Sequence, residues 1–380
     1  MQQPSGFQHS DKSLVCKLHK AIYGLKQAPR QWFVKLKSTL LTLRFMVSKY
    51  DNSLFMHTST SSQLFVLVYV DDIIVTDSSS QVHKVIQDLS SSFALKKLGK
   101  LDYFLGIKIK HLTDGSLLMS QSKYVRDILD RENVGIAKPV TAPMTSSCRL
   151  TKEGNDFYAD PTFYRSIVGA LQYATITRPD ITYSINKVCQ FLSQPLNSHW
   201  VAVKRILRYL QGTVSCGLFL QKVAVVAPLP ITAFCDADWA SDVDDRKSIS
   251  GACIYLGPNL ITWWSKKKNT IYRSSTEAEY RSLALAAQEL MWVESLLQEI
   301  KFSYSTPTIL CDNLSTVAMS YNLVLHNRTN HIELDLYFVR DKIQNKTLLI
   351  AHVPSDLQNA DVLTKPLSTD KFTNFKAASS

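Results

Sequence analysis

The sequence has 380 residues, 45% of them hydrophobic and 20% charged; these are ordinary globular values, and the length allows two or three domains that each bury a core. Seven cysteines, an odd number with no C-x-x-C pair, argue against a disulfide framework or a zinc ribbon, and neither a signal-peptide core nor a run of about eighteen apolar residues occurs, so a soluble, intracellular protein with no membrane partner is expected. The net charge of +11 instead favours a polyanionic partner, nucleic acid being the simplest.

In chain order, a polar start leads to the segment Tyr23–Arg30, which packs Gly24, Lys26, Gln27, Pro29 and Arg30 into eight residues. Such a loop could approach phosphates; a solvated turn explains it equally well. From Trp32, apolar residues at Phe33, Leu36, Leu40, Leu41 and Leu43 predict a basic helix. Leu64 to Val75 then reads LFVLVYVDDIIV, with Asp71 and Asp72 set inside a β-branched apolar run. The pair is expected at the bend between two core strands, facing a cation, since a buried carboxylate is costly unless paired or metal-bound. The alternative is a hairpin tip that simply carries two acids.

An amphipathic helix is predicted over residues 82–98. A strand over LDYFLGIKIK, a turn at Asp114-Gly115, a second strand and a helix follow. Residues 136–161, rich in Pro, Ser and Thr, read as a linker, and helices broken near Pro179 and Pro195 run to Gly212. A further domain opens at Pro230 with the order β-β-β-α-β-α-α-β-α; Ser275 or Thr276 caps its long helix, and the tail from Ser368 is expected to fray. Altogether the chain reads as an α+β, multi-domain protein.

Four acids each start or end an element of that last domain: Asp236, Glu279, Asp312 and Asp361. Gathered together, such carboxylates would hold two Mg²⁺ ions about 4 Å apart for phosphodiester hydrolysis. Taken singly, each also suits a cap or a lysine partner. His331 and His352 read as core or surface histidines or as proton carriers, His352 being the better placed for the second role.

Long strings along the chain, among them QQPSGF, VCKLHKAIYGLKQAPRQW, LVYVDDIIVT, YFLGIKI, YRSIVGALQYATITRPDI, CDADWA, SSTEAEYRSLA, LCDN and NADVLTKPL, resemble the C-terminal part of copia-type retrotransposon polyproteins. The resemblance implies a partial reverse-transcriptase palm and thumb over residues 1–135, a linker and helical connection over 136–228, a ribonuclease H-like mixed sheet with helices over 229–368, and a tail over 369–380. It makes Asp71 and Asp72 two of three polymerase metal ligands. It places Tyr23, Gly24, Lys26, Gln27 and Arg30 beside nucleotide and template, and Tyr103, Phe104, Leu105 and Gly106 at the primer. Asp236, Glu279, Asp312 and Asp361 become the ribonuclease H metal ligands, with Glu277 the residue most easily mistaken for Glu279.

The implied cofactor is Mg²⁺, two per intact site, and the implied partners are RNA/DNA hybrids, nucleic-acid duplexes and other products of the polyprotein. In the family a third polymerase aspartate precedes QQPSGF, so the polymerase of this chain is expected to be incomplete and its ribonuclease H activity to be what survives. Arg44 and Asp77 stand where the family usually has glycine.

Overall fold

Pro29 falls in the first turn of a helix that starts earlier than Trp32. This helix, α1, spans Ala28–Thr42, because proline's fixed φ and missing N–H suit a helix start. Its Leu36 and Leu40 are fully buried against a four-stranded antiparallel sheet in sequence order: β1 (Met46–Val47), β2 (Leu54–Thr58), β3 (Gln63–Tyr69) and β4 (Asp72–Asp77). Alternation along β3 turns Leu64, Val66 and Val68 into the same core. Helix α2 (Val82–Ser92) adds Val85 and Leu89, and stops at its three serines instead of continuing to residue 98.

At the end of α1, Arg44 N–H donates to the Leu41 carbonyl and Phe45 N–H to the Leu40 carbonyl. This is a Schellman closure that puts Arg44 at φ 65°. The position is one that glycine fills without strain.

The computed structural model describes the whole chain except residues 1–2, 4, 12, 18–21, 23, 60–62, 78–80, 132–136, 224–226, 323–331 and 379–380. It divides into two units, residues 1–101 and 102–380. In the second unit β5 (Tyr103–Phe104) and β6 (Ile107–His111) form a hairpin, and β7 (Leu117–Ser120) pairs both with β6 and with the distant β8 (Leu218–Leu220). The single strand expected over LDYFLGIKIK is thus a two-residue turn at Leu105–Gly106, with φ of 48° and 71°.

Helices α3 (Ser122–Arg131), α4 (Pro161–Ala174), α5 (Thr182–Cys189) and α6 (Asn197–Gln211) break where the prolines predict. The expected linker is packed, not solvated: Ala142, Met144 and Leu150 are buried in the helical core.

The following elements are β9 (Ile231–Asp238), β10 (Ile249–Leu256), β11 (Asn259–Lys267), α7 (Ser275–Glu299), β12 (Thr308–Cys311), α8 (Leu314–Tyr321), α9 (Glu333–Gln344), β13 (Leu349–His352), a 3₁₀ turn Asn359–Leu363 and α10 (Thr369–Ala378). The sheet order is β11-β10-β9-β12-β13, antiparallel through its first three strands and parallel from β9 to β13. One face buries Ala233, Cys235 and Ile254 beneath α7 and α9, while the other buries Ile249, Cys253 and Leu260 against the helical core of α4, α5 and α6. Both faces are apolar and both need cover. That is why the regions 136–228 and 229–368 share a core. The buried carboxylate of Asp242, held by Lys187 at 2.8 Å and Lys267 at 2.9 Å, joins α5 to β11.

The tail expected to fray is helical as α10, and its Phe372 is buried edge-on against Tyr209 at a centroid distance of 5.6 Å.

Candidate metal centre

The four acids of the last domain reach one place by four different local devices. Asp236 lies in β9, and Asp312 immediately follows the parallel neighbour β12, so both stand toward the carboxyl ends of adjacent strands. Glu279 comes from the start of α7. There Ser274, one residue before the expected caps, accepts from Glu277 N–H at 3.2 Å, and the Glu277 carboxylate accepts from Arg273 N–H at 2.8 Å. The Glu277 side chain is thereby held against the backbone just ahead of the helix and by Arg281 at 3.1 Å. Glu279, two residues on, is 6% exposed and faces the strands.

Asp361 arrives on the 3₁₀ turn. That turn lies so close to β10 that a Cβ on Gly251 would stand 2.7 Å from Leu363 Cβ.

Two lysines meet this cluster. Lys365 Nζ is 2.8 Å from Asp361 Oδ1 and 3.6 Å from Asp236 Oδ2, and Lys371 Nζ from α10 is 3.4 Å from Asp361 Oδ2. The Thr364 hydroxyl donates to Asp236, and the Ser355 hydroxyl to Asp312 Oδ2 at 2.9 Å. Burial works against the charge of Lys365, but Asp236 and Asp361 overcome it and raise its pKa.

Burial pushes Asp236 up to about 6; the charges of Asp361 and Asp312 add to this, while Lys365 and the Thr364 hydrogen bond oppose it. Burial likewise pushes Glu279 up to about 10, helped by Asp236, Cys311 and Asp312. Three of the four carboxylates are buried and sense the others, so their ionised forms repel one another. Their oxygen donors suit a hard divalent cation, so the residues present fit one.

The other candidate residues are placed differently. Asp71 and Asp72 do occupy the bend, at the tip joining β3 to β4, where Tyr69 pairs with Asp72 and Val70 takes φ 47°. Both are exposed, not enclosed between strands. Among the described residues, the group of three ligating side chains close enough for one ion is Glu279, Cys311 and Asp312, and no third side chain joins Asp71 and Asp72 in that way. Gly24, Lys26, Gln27 and Arg30 are exposed around the start of α1, and Tyr23 lies outside the described residues. Tyr103 is exposed, and the Leu105–Gly106 turn is pinned to α4 by the Tyr173 hydroxyl, which donates to the Leu105 carbonyl. His352 ends β13 in register with Cys311, whereas His331 lies outside the described residues.

Lys365, Lys371, Thr364 and Cys311 were not singled out from the sequence. Of these only Lys365 had a signal, its i,i+4 spacing from Asp361.

A family described as "Reverse transcriptase (RNA-dependent DNA polymerase)" matches residues 1–146. The chain is 46% identical over 378 residues to the retrovirus-related Pol polyprotein from transposon RE2 of Arabidopsis thaliana, covering 99% of this chain and 26% of that polyprotein. It is 32% identical over 294 residues to a putative transposon Ty5-1 protein of Saccharomyces cerevisiae, covering 76% of this chain and 94% of that protein.

The chain belongs to the copia-type retrotransposon Pol polyproteins.

Its residues 1–146 are the part that matches the reverse transcriptase family, and the chain spans 26% of the length of its Arabidopsis relative. A solved LC11-RNase H1 in complex with an RNA/DNA hybrid is similar at 16% identity and TM-score 0.28, covering 35% of this chain and 93% of that one. Reverse transcriptase and ribonuclease H-like families are generally dependent on divalent metals.

Proposed function

We propose that this copia-type chain hydrolyses the RNA strand of RNA/DNA hybrids at a centre made by Asp236, Glu279, Asp312 and Asp361. The observation that carries the reading is the convergence of these four carboxylates, each delivered by a different element, in a pocket where burial raises Asp236 and Glu279. Two Mg²⁺ ions held by these oxygens would supply an activated water and stabilise the leaving oxygen of the phosphodiester. The residues of the chain hold and orient. Asp236 and Asp361 share the Lys365 ammonium, Ser355 fixes one oxygen of Asp312, and Thr364 fixes one of Asp236.

The basic surface, at net charge +11, would gather the hybrid by its phosphates, and binding should weaken steeply with salt. Primer extension is expected to be absent from this chain on its own, since among the described residues no third ligand joins Asp71 and Asp72.

Purified protein incubated with a labelled hybrid and Mg²⁺, beside an Asp236→Asn variant, tests the reading. Cleavage by the parent and none by the variant is expected; equal cleavage by both would sink the assignment. A second reading, a nucleic-acid-binding remnant without catalysis, is favoured by one feature: Lys365 and Lys371 already balance part of the carboxylate charge. Salt-sensitive hybrid binding with no cleavage at any Mg²⁺ concentration would select it.

A further inference from the structure

The two lysines serve only one half of the carboxylate cluster. Lys365 and Lys371 pair with Asp236 and Asp361. On the other half Glu279, 6% exposed, faces Asp312 and a sulfur: Cys311 Sγ lies 3.9 Å from Glu279 Oε2. The ligand atoms of Glu279, Cys311 and Asp312 all lie within 4.8 Å of one another. Three atoms so spaced have a common centre about 2.8 Å from each at most. Small side-chain rotations close that to the roughly 2.0–2.3 Å of zinc–oxygen and zinc–sulfur bonds. The Cys235 thiol, on the neighbouring strand, lies against the Leu310 carbonyl at 3.9 Å and against the Cys311 thiol, and Cys311 is the sulfur in contact with the Glu279 carboxylate.

We propose that Glu279, Cys311 and Asp312 form a capture site for thiophilic divalent metals, of the zinc and cadmium class, set inside the carboxylate cluster. The donor set decides the selectivity. Mg²⁺ takes oxygen ligands and gains nothing from Cys311, whereas a softer ion gains a thiolate bond in addition to two carboxylates. As the metal–sulfur bond forms, the thiol proton passes to water. An ion so held uses Glu279 and Asp312, two of the four carboxylates assigned above to Mg²⁺. If that reading is right, zinc or cadmium blocks hydrolysis by occupation.

The test uses the full chain and Cd²⁺ alone as probe. Titration is followed by the ultraviolet sulfur-to-cadmium charge-transfer band and by calorimetry. A saturable band is expected, with a midpoint shifted to higher Cd²⁺ by millimolar Mg²⁺, lost in Cys311→Ser and retained in Cys148→Ser. Asp312→Asn, which leaves the core untouched, should keep the band and weaken binding about tenfold, the loss expected from one of three ligands. Because Cys311 is fully buried, Cys311→Ala is measured alongside Cys311→Ser, and both are required to unfold as cooperatively as the parent.

A band that survives in both Cys311 variants, or no band in the parent, overturns the inference. Hybrid cleavage separates the two proposals. Cleavage without a Cys311-dependent band removes the capture site alone; the band without cleavage removes the hydrolase reading and leaves the capture site standing.

Discussion

Lys365 Nζ stands 2.8 Å from Asp361 Oδ1, one turn along the same segment, and reaches 3.6 Å to Asp236 Oδ2 on the adjoining strand. The ammonium therefore links two buried acids that would otherwise repel each other. Lys371 adds a second, more exposed cation at 3.4 Å from Asp361 Oδ2, so the two acids rely on both lysines. Lys365→Met should raise the Asp236 pKa further above about 6, because the charge that opposes burial is gone. It should also cost about 1–2 kcal/mol of stability, less than a fully buried pair because the lysine side chain is 35% exposed. A carboxyl NMR titration and urea unfolding in chelator would check the two parts, and an unmoved Asp236 would contradict the first.

The same pocket sets a pH dependence whose sign is fixed by the direction of the shifts. A carboxyl raised on folding binds more protons folded than unfolded between its two pKa values, so its contribution to stability falls as pH rises through that window. The window runs from 3.8 to about 6 for Asp236 and from 4.5 to about 10 for Glu279. In chelator, the melting temperature should fall between pH 6 and pH 9. Mg²⁺, which favours the ionised carboxylates, should raise the melting temperature more at pH 9 than at pH 6. Glu279→Gln should flatten the chelator profile. Equal Mg²⁺ shifts at both pH values would rule this out.

Glu277 and Glu279 are two residues apart and differ completely in duty. Glu277→Gln should lower stability by about 0.5–1.5 kcal/mol through the weakened cap and the lost Arg281 pair, with metal binding intact. Glu279→Gln should do the reverse, abolishing most divalent binding while stability in chelator at pH 9 rises by about 1–3 kcal/mol. Calorimetric Mn²⁺ titration of the two variants separates them.

How much of this could be read beforehand depended on whether the signal was local. Asp236 in β9, the start of α7 and the strand leading to Asp312 are local, and the element order of residues 230–363 follows from them. Lys371 could not be read this way. Its role requires α10, and α10 is held by Phe372 meeting Tyr209 from a helix far away in sequence. The linker misled for a similar reason, since Ala142, Met144 and Leu150 lack periodicity yet fill a core built by other segments. At Leu105–Gly106 the apolar leucine hid a turn that the two positive φ angles make plain.

Arg44 offers a test in the first unit. Its φ of 65° costs a residue with a Cβ about 1 kcal/mol, and the Schellman hydrogen bonds to Leu40 and Leu41 hold it there regardless. Arg44→Gly keeps both bonds and removes the strain, at the expense of some entropy in the unfolded chain. A net gain of about 0.5–1 kcal/mol is expected in urea unfolding of the first transition, and a loss would show that the arginine side chain contributes packing that outweighs its backbone conformation.

The C-terminal helix provides the last prediction, because the sequence suggested a frayed end and the structure has a docked one. Phe372 is 4% exposed and meets Tyr209 edge-on, and Lys371 beside it reaches Asp361. Emptying that slot with Phe372→Ala should cost about 3 kcal/mol, at the low end for a buried aromatic because a terminal helix can undock and relax. Lys371→Gln, whose side chain is 47% exposed, should change stability by less than about 0.5 kcal/mol yet strengthen Mn²⁺ binding about two- to fivefold, since it removes a competing cation from Asp361. The two substitutions therefore dissociate anchoring from charge. If Phe372→Ala leaves the unfolding midpoint unmoved, α10 is not docked in solution, and Lys371→Gln should then have no effect on the metal either.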